Sequence, residues 1–280
     1  MSTNTYIFID GSYYCFYRYY ALLTWWKLSH PDEPPLVDPM LSPEFVEKFK
    51  QSFVKHIKIM PKKLGLMKNV HPIMIVGKDC KRENIWRNEL CTESQLFTGD
   101  YKGTRPKKDG FMGVQFFTMA YRENLFADGG SIATLFHPKL EADDCIAISI
   151  KRILEVKPLS KIYVITNDKD YLQLAEERVE LYNLTYKKLT DQKTCYGNPK
   201  LDLFCKIIMG DPSDNIKSVF KSSGLKTTIK CFEDKDFFET KLKEENATEK
   251  YQLNKKLIDF NEIPCELVEE FLSLNNNLNF

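Results

Sequence analysis

No run of about 18 apolar residues occurs in the 280-residue chain, so the sequence predicts no membrane span. The opening "MSTNTYIFID" lacks the basic start and apolar stretch of a secretory signal. The eight cysteines contain no C-x-x-C pair and most lie in apolar stretches, which argues against a disulfide frame and against a zinc site. Reduced thiols in a cytosolic or nuclear compartment are expected. Histidine is scarce as well: the four, at 30, 56, 71 and 137, sit too far apart in sequence to suggest a shared site. Net charge is almost absent, +1 from 40 Lys+Arg against 39 Asp+Glu, and taken whole it says nothing about partners. No internal repeat is visible.

What the chain does have is a core. It is 43% hydrophobic and 13% aromatic, which excludes a disordered tail. Its length suits one domain with a smaller attachment. Short β-rich apolar runs stand at 5–10, 71–77, 131–136, 161–168 and 179–184, with helical patterns at 43–64, 111–126, 142–155, 169–177 and 200–209. Continuous apolar strands alternating with helices predict an α/β fold, a parallel-type central sheet with helices on both faces. After about residue 200 the strand signal stops. The reading is therefore an α/β core over 1–198 and a helical region over 199–280, with a frayed tail at "LNNNLNF". Residues 80–130, rich in Lys, Arg, aromatics and Gly, form a stretch too long for an ordinary loop and read as a functional insertion. The neutral total hides opposite local fields. "IKSVFKSSGLKTTIK" (216–230) carries four lysines and no acid, and 48–68 is also mostly basic.

The acids fall at the strand ends. Asp10 closes the first strand, Asp79 follows the second, and Asp168 and Asp170 follow "YVIT". "LEADDCIAISIKRIL" places Glu141, Asp143 and Asp144 at a helix start, and "GDPSDNI" adds Asp211 and Asp214. In open α/β sheets ligands bind beyond the carboxyl ends of the strands. Any one of these acids alone is explained as well by helix capping or by the helix dipole. Nine on one rim would repel one another strongly, and hard divalent cations with oxygen ligands would neutralise them. Two such ions, Mg²⁺ or Mn²⁺, form the clamp used in phosphodiester hydrolysis.

"FIDGSYYCFYR", "LEADDCIA", "ITNDKDYLQL" and "IMGDPSDNI", in that order and spacing, resemble the motifs of the 5′-nuclease superfamily. This group holds the flap endonucleases, the 5′-nuclease domain of bacterial DNA polymerase I and phage ribonuclease H enzymes. "KKLIDFNEIP" resembles its phage and large-virus branch. The resemblance implies that Asp10, Asp79, Glu141, Asp143 and Asp144 surround a first metal. Asp168, Asp170, Asp211 and Asp214 would hold a second, some through water. It implies that Arg87, Lys102 and Arg105 touch the scissile phosphate at the base of a helical arch within 80–130. Phe16 would stack on a terminal base pair, with Arg18 beside it on the DNA; the alternative for Phe16 is a core aromatic. Lys217, Lys221, Lys226, Thr227 and Lys230 would grip duplex backbone through a helix–turn–helix element. That element often holds K⁺ in the family, but here its glycine-rich pattern keeps only Gly224, Lys226 and Thr227.

The resulting expectation is a structure-specific, two-metal 5′-nuclease. It would act as a monomer on branched or 5′-ended DNA or on RNA–DNA primers, in replication, repair or recombination, alongside replication proteins. Two alternatives stand beside it: a catalytically silent fork-binding protein, and a PIN-type ribonuclease. The full set of acids argues against the first, and the length and "GDPSDNI" argue against the second. A haloacid-type phosphatase would need Asp-x-Asp at the first strand, where Asp10-Gly11-Ser12 stands.

Overall fold

The computed structural model describes residues 4–105, 111–222 and 224–278. Five strands form one sheet: β1 (Thr5–Asp10), β2 (Ile73–Gly77), β3 (Ser131–Leu135), β4 (Lys161–Ile165) and β5 (Val179–Tyr182). Their order is β3-β2-β1-β4-β5, and every pairing is parallel. The chain winds outward from β1 to β3, then returns to the other flank for β4 and β5. That reversal between β1 and β4 opens a crevice at the carboxyl edge.

Strand alternation explains why these runs read as wholly apolar. In β1, Tyr6 and Phe8 point into one core while Ile7 and Ile9 point into the other. Ile75 and Met74, or Val164 and Ile165, divide in the same way. One face is covered by the helix Ala142–Val156 and by the last long helix, Cys265–Leu274, whose Leu267 and Phe271 join that core. The other face is covered by the helices Gly11–Ser29, Pro43–Lys58 and Gly113–Arg122, through Tyr14, Phe49, Phe53 and Phe116.

Three differences from the sequence reading have physical causes. The helix Gly11–Ser29 was not expected, because aromatics occupy every side of it. Tyr14, Tyr19 and Trp26 are buried while Tyr20, Trp25 and Leu28 are exposed, so no apolar stripe stands out. The helical pattern at 169–177 is a 3₁₀ stretch, Lys169–Leu174. Within 80–130, the later part is packed: the helices Gly113–Arg122 and Leu125–Asp128 bury Phe116, Met119, Leu125 and Phe126 under the sheet. Residues 106–110 of that stretch, and 279–280 of the tail, lie outside the described residues.

The helices Pro199–Met209, Leu225–Glu233, Lys235–Glu244 and Thr248–Ile258 gather around Ile208, Val219, Phe220, Cys231 and Leu242. Among the described residues no helix is long and apolar enough to cross a membrane.

Candidate metal centre

Close backbone approach at the carboxyl edge sets the site's dimensions. At Gly11 a Cβ would lie 2.5 Å from the Gly77 carbonyl oxygen, so β1 and β2 can deliver Asp10 and Asp79 side by side only with glycine there. Asp10 caps the first helix, its Oδ1 accepting from Tyr13 N–H at 3.0 Å and its Oδ2 from the Thr166 hydroxyl at 3.2 Å. Asp79 accepts from Ala142 N–H at 2.8 Å and from the Ser12 hydroxyl, which ties the first and second strand ends to the "EADD" helix. Thr166 also accepts from Asp168 N–H at 3.0 Å. The acids are therefore fixed by the backbone of one another's elements.

The second group rests on a tight turn. Gly210 has φ +75°, and a Cβ there would lie 2.3 Å from the Ile216 carbonyl oxygen. Asp211 and Ile216 exchange two backbone hydrogen bonds of 2.8 Å, which closes "GDPSDNI" into a loop. That loop is pinned to the segment before residue 106. Asn215 donates to the Thr98 and Asp100 carbonyls at 2.9 and 3.1 Å, and Lys102 N–H donates to the Asp214 carbonyl at 3.1 Å.

The structure brings Asp10, Asp79, Glu141, Asp143, Asp168, Asp170 and Asp211 onto the wall of one cleft of about 920 Å³. Oxygens of Glu141, Asp143 and Asp144 lie within 4.8 Å of one another, as do those of Asp170, Asp211 and Asp214. Crowding and burial disturb their protonation. Burial first, then the charges of Asp79 and Asp168, push the Asp10 carboxyl up to about 7. Burial, then Asp144 and Glu141, hold Asp143 well above the usual carboxylate range. Asp168 is raised mainly by burial. Asp211 behaves oppositely: burial would raise it, but Lys206 and Ser213 outweigh that and draw it down to about 2.

Asp144 and Arg87 are placed differently from the sequence expectation. Arg87 is 2% exposed and does not reach the cleft wall. Its guanidinium grips Asp144 at 2.7 and 2.8 Å, approaches Glu141 at 3.2 Å and donates to the Leu257 carbonyl at 2.8 Å. Asp144, 0% exposed, also accepts from Trp86 Nε1 at 3.0 Å and from Glu141 N–H at 3.2 Å. The pair is a buried brace behind the acids, and neither residue lines the cleft. Asp214 is likewise buried, held by Arg105 at 2.6 Å and by the Tyr101 hydroxyl at 3.0 Å.

Lys102 and Arg105 do line the cleft. Lys102 meets Glu141 and lies 3.8 Å from Asp214; burial would lower its proton affinity, but those two acids raise it. Phe16 stands outside the cleft, packed against Phe111 at 5.2 Å and Phe117 at 4.7 Å, and Arg18 lies over the Tyr17 ring. Lys217 and Lys221 line a second cavity of about 650 Å³, while Lys226, Thr227 and Lys230 ride on the helix Leu225–Glu233. Ser223 lies outside the described residues.

Sequence reasoning missed Lys206, Asp202 and Tyr101. Lys206 bridges Asp170 and Asp211, 2.9 Å from the latter. In the helix Pro199–Met209, Asp202 and Lys206 stand at i, i+4 and both line the cleft. That spacing was the available signal, and it reads in sequence as an ordinary solvated face.

The donor set fits hard cations. The described ligand candidates are carboxylate oxygens drawn from separate segments, with the Asp10 and Asp143 carboxyls driven upward first by burial and then by neighbouring acids. Neither histidine nor cysteine belongs to either acid group.

Comparison with known proteins follows the same line. Residues 5–199 match the family model described as 5′-3′ exonuclease, N-terminal resolvase-like domain. A 5′-3′ exonuclease of Mycoplasmopsis pulmonis is 28% identical over 254 residues, covering 83% of this chain and 80% of its own. Ribonuclease H of Enterobacteria phage T4 is 30% identical over 155 residues, 50% of this chain and 49% of its own. The fold matches a bacteriophage T5 flap endonuclease, solved as a pseudo-enzyme–product complex with DNA and metal ions. The TM-score is 0.60 at 17% identity, over 96% of this chain and 97% of the other.

Proposed function

This chain belongs to the 5′-3′ exonuclease family, and we propose that its acid-lined cleft hydrolyses phosphodiesters of branched or 5′-ended DNA with two bound Mg²⁺ or Mn²⁺ ions. The observation that carries this reading is the convergence of Asp10, Asp79, Glu141, Asp143, Asp168, Asp170 and Asp211 on one cleft. Asp10, Asp79, Glu141 and Asp143 would hold one ion, and Asp168, Asp170 and Asp211 the other. Bound there, the ions supply compensating charge, an activated water and stabilisation of the leaving oxygen.

The chain's own residues do the rest. Lys102 and Arg105, held on the wall by Glu141 and Asp214, are the donors for non-bridging phosphate oxygens. Arg87 and Asp144 brace Glu141 and the first turn that carries Asp143. Asp214 and Tyr101 fix the "GDPSDNI" turn against the segment bearing Lys102. The face bearing Lys217, Lys221, Lys226, Thr227 and Lys230 takes the duplex arm through phosphates. In this reading the products end in 5′-phosphate and 3′-hydroxyl, and RNA–DNA primers are further substrates. The protein works as a monomer beside replication proteins, and the eight free thiols suit a reducing compartment.

Structure specificity is tested with one 5′-labelled strand presented as a flap duplex, a blunt duplex and a free single strand, with Mg²⁺. Faster cutting at the flap junction supports it. Equal rates on all three would reduce the reading to a general nuclease.

A further inference from the structure

A second strongly charged surface lies away from the cleft. Residues 48–68 contain seven lysines, at 48, 50, 55, 58, 62, 63 and 68, and no acid, in a chain whose net charge is only +1. The helix Pro43–Lys58 buries Phe45, Phe49, Phe53 and Ile57 at i, i+4 spacing, which turns its lysines outward. Lys48, Lys55, Lys58, Lys62, Lys63 and Lys68 are exposed. Lys50 pairs with Glu123 at 2.6 Å, and among the described residues none of the other six is in an ion pair.

Their position is fixed by the sheet. Ile57 packs against Gly129, just before β3 begins at Ser131, and the chain after Lys68 enters β2 at Ile73. With all strands parallel, this end of the helix lies at the amino edge, opposite the acids. A five-residue strand spans ~17 Å, which sets the rough distance from stripe to cleft. Arg18, Lys55 and Lys63 all stand near His56. His56 has its proton affinity lowered first by burial and then by Arg18, Lys55 and Lys63, against a hydrogen bond to the Ser52 carbonyl that raises it. Arg18 Nε is buried and without an acceptor among the described residues.

We infer that the lysine stripe at 55–68, with Arg18 at its flank, is a second nucleic-acid contact, which holds phosphodiester backbone extending beyond the cleft. Lysine is depleted at protein–protein interfaces, where aromatic residues and arginine are enriched, so a lysine stripe fits a polyphosphate better than an acidic protein. Each phosphate neutralised steepens the salt dependence of binding.

The test compares the full chain with a Lys55→Gln/Lys58→Gln/Lys62→Gln/Lys63→Gln variant. Long duplex DNA is titrated in EDTA at several salt concentrations, and cleavage of a small nitrophenyl phosphodiester is measured with Mg²⁺. An unchanged melting temperature shows the variant folded, as four exposed positions allow. The expected result is weaker duplex binding and a plot of log affinity against log salt that is shallower by about 2 to 4, at ~0.9 per phosphate. Small-substrate cleavage is expected to stay within twofold. An unchanged duplex affinity and slope overturns the inference. So does unchanged DNA binding with lost binding of polyglutamate, which would assign the stripe to an acidic protein. If the wild-type chain binds duplex through the stripe but cleaves nothing, the nuclease reading fails and this one stands.

Discussion

At the residue scale the acids are expensive to keep together. The Asp10 carboxyl rises from 3.8 to about 7, so the folded state favours its neutral form. A raised carboxyl costs stability as pH climbs, from the unfolded value near 3.8 up through about 7, and the full cost is present above that. At ~1.4 kcal/mol per unit the ceiling is about 4 kcal/mol. Asp10→Asn is therefore expected to raise the melting temperature of the metal-free protein at pH 8, with the gain shrinking towards pH 4. Thermal scans across that range check it; a gain independent of pH would contradict a carboxyl raised by burial and by its acidic neighbours. Arg87 gives the opposite case. As a buried brace on Asp144, its removal in Arg87→Met is expected to lower unfolding free energy by about 3–5 kcal/mol in urea titration. A phosphate-contacting Arg87 would leave stability intact. The sequence showed every acid on the cleft wall except Asp202, because strand ends are legible. It could not show that Asp144 faces Arg87, since that ion pair joins residues 57 apart.

Among elements, the tight turn after the helix Pro199–Met209 carries the most consequence. Gly210→Ala would force a Cβ against the Ile216 carbonyl in a left-handed backbone. The turn would open, Asp211 and Asp214 would shift from Asp170, and the anchorage of residues 98–105 would loosen. The expected outcome is loss of Mn²⁺ binding at the second group, read by calorimetry as a lower stoichiometry, with about 1 kcal/mol or more of stability lost. A fully retained stoichiometry would show that the turn does not position the acids. Elements differed in legibility for a definable reason. The strands were readable because both faces of the sheet are covered, which leaves continuous apolar runs. The helix Gly11–Ser29 was not, because its exposed side is as aromatic as its buried one, and periodicity needs contrast.

In the whole molecule, one sheet joins an acidic edge to basic surfaces. The carboxyl edge gathers the acids where the strand order reverses, and lysines flank it on the C-terminal helices. This arrangement was foreseeable from the acids at the strand ends and from the charge runs, whereas one cation of the cleft, Lys206, was hidden in an amphipathic helix. The central claim is that the acids act together as a metal-dependent phosphodiesterase centre. The most direct measurement is cleavage of a 5′-labelled flap duplex by the wild-type chain and by an Asp168→Asn/Asp170→Asn variant, each with Mg²⁺ and with EDTA. Cutting is expected from the wild type with Mg²⁺ alone, with background levels in the other three reactions. Cutting that persists in EDTA, or in the variant at the wild-type rate, would contradict it.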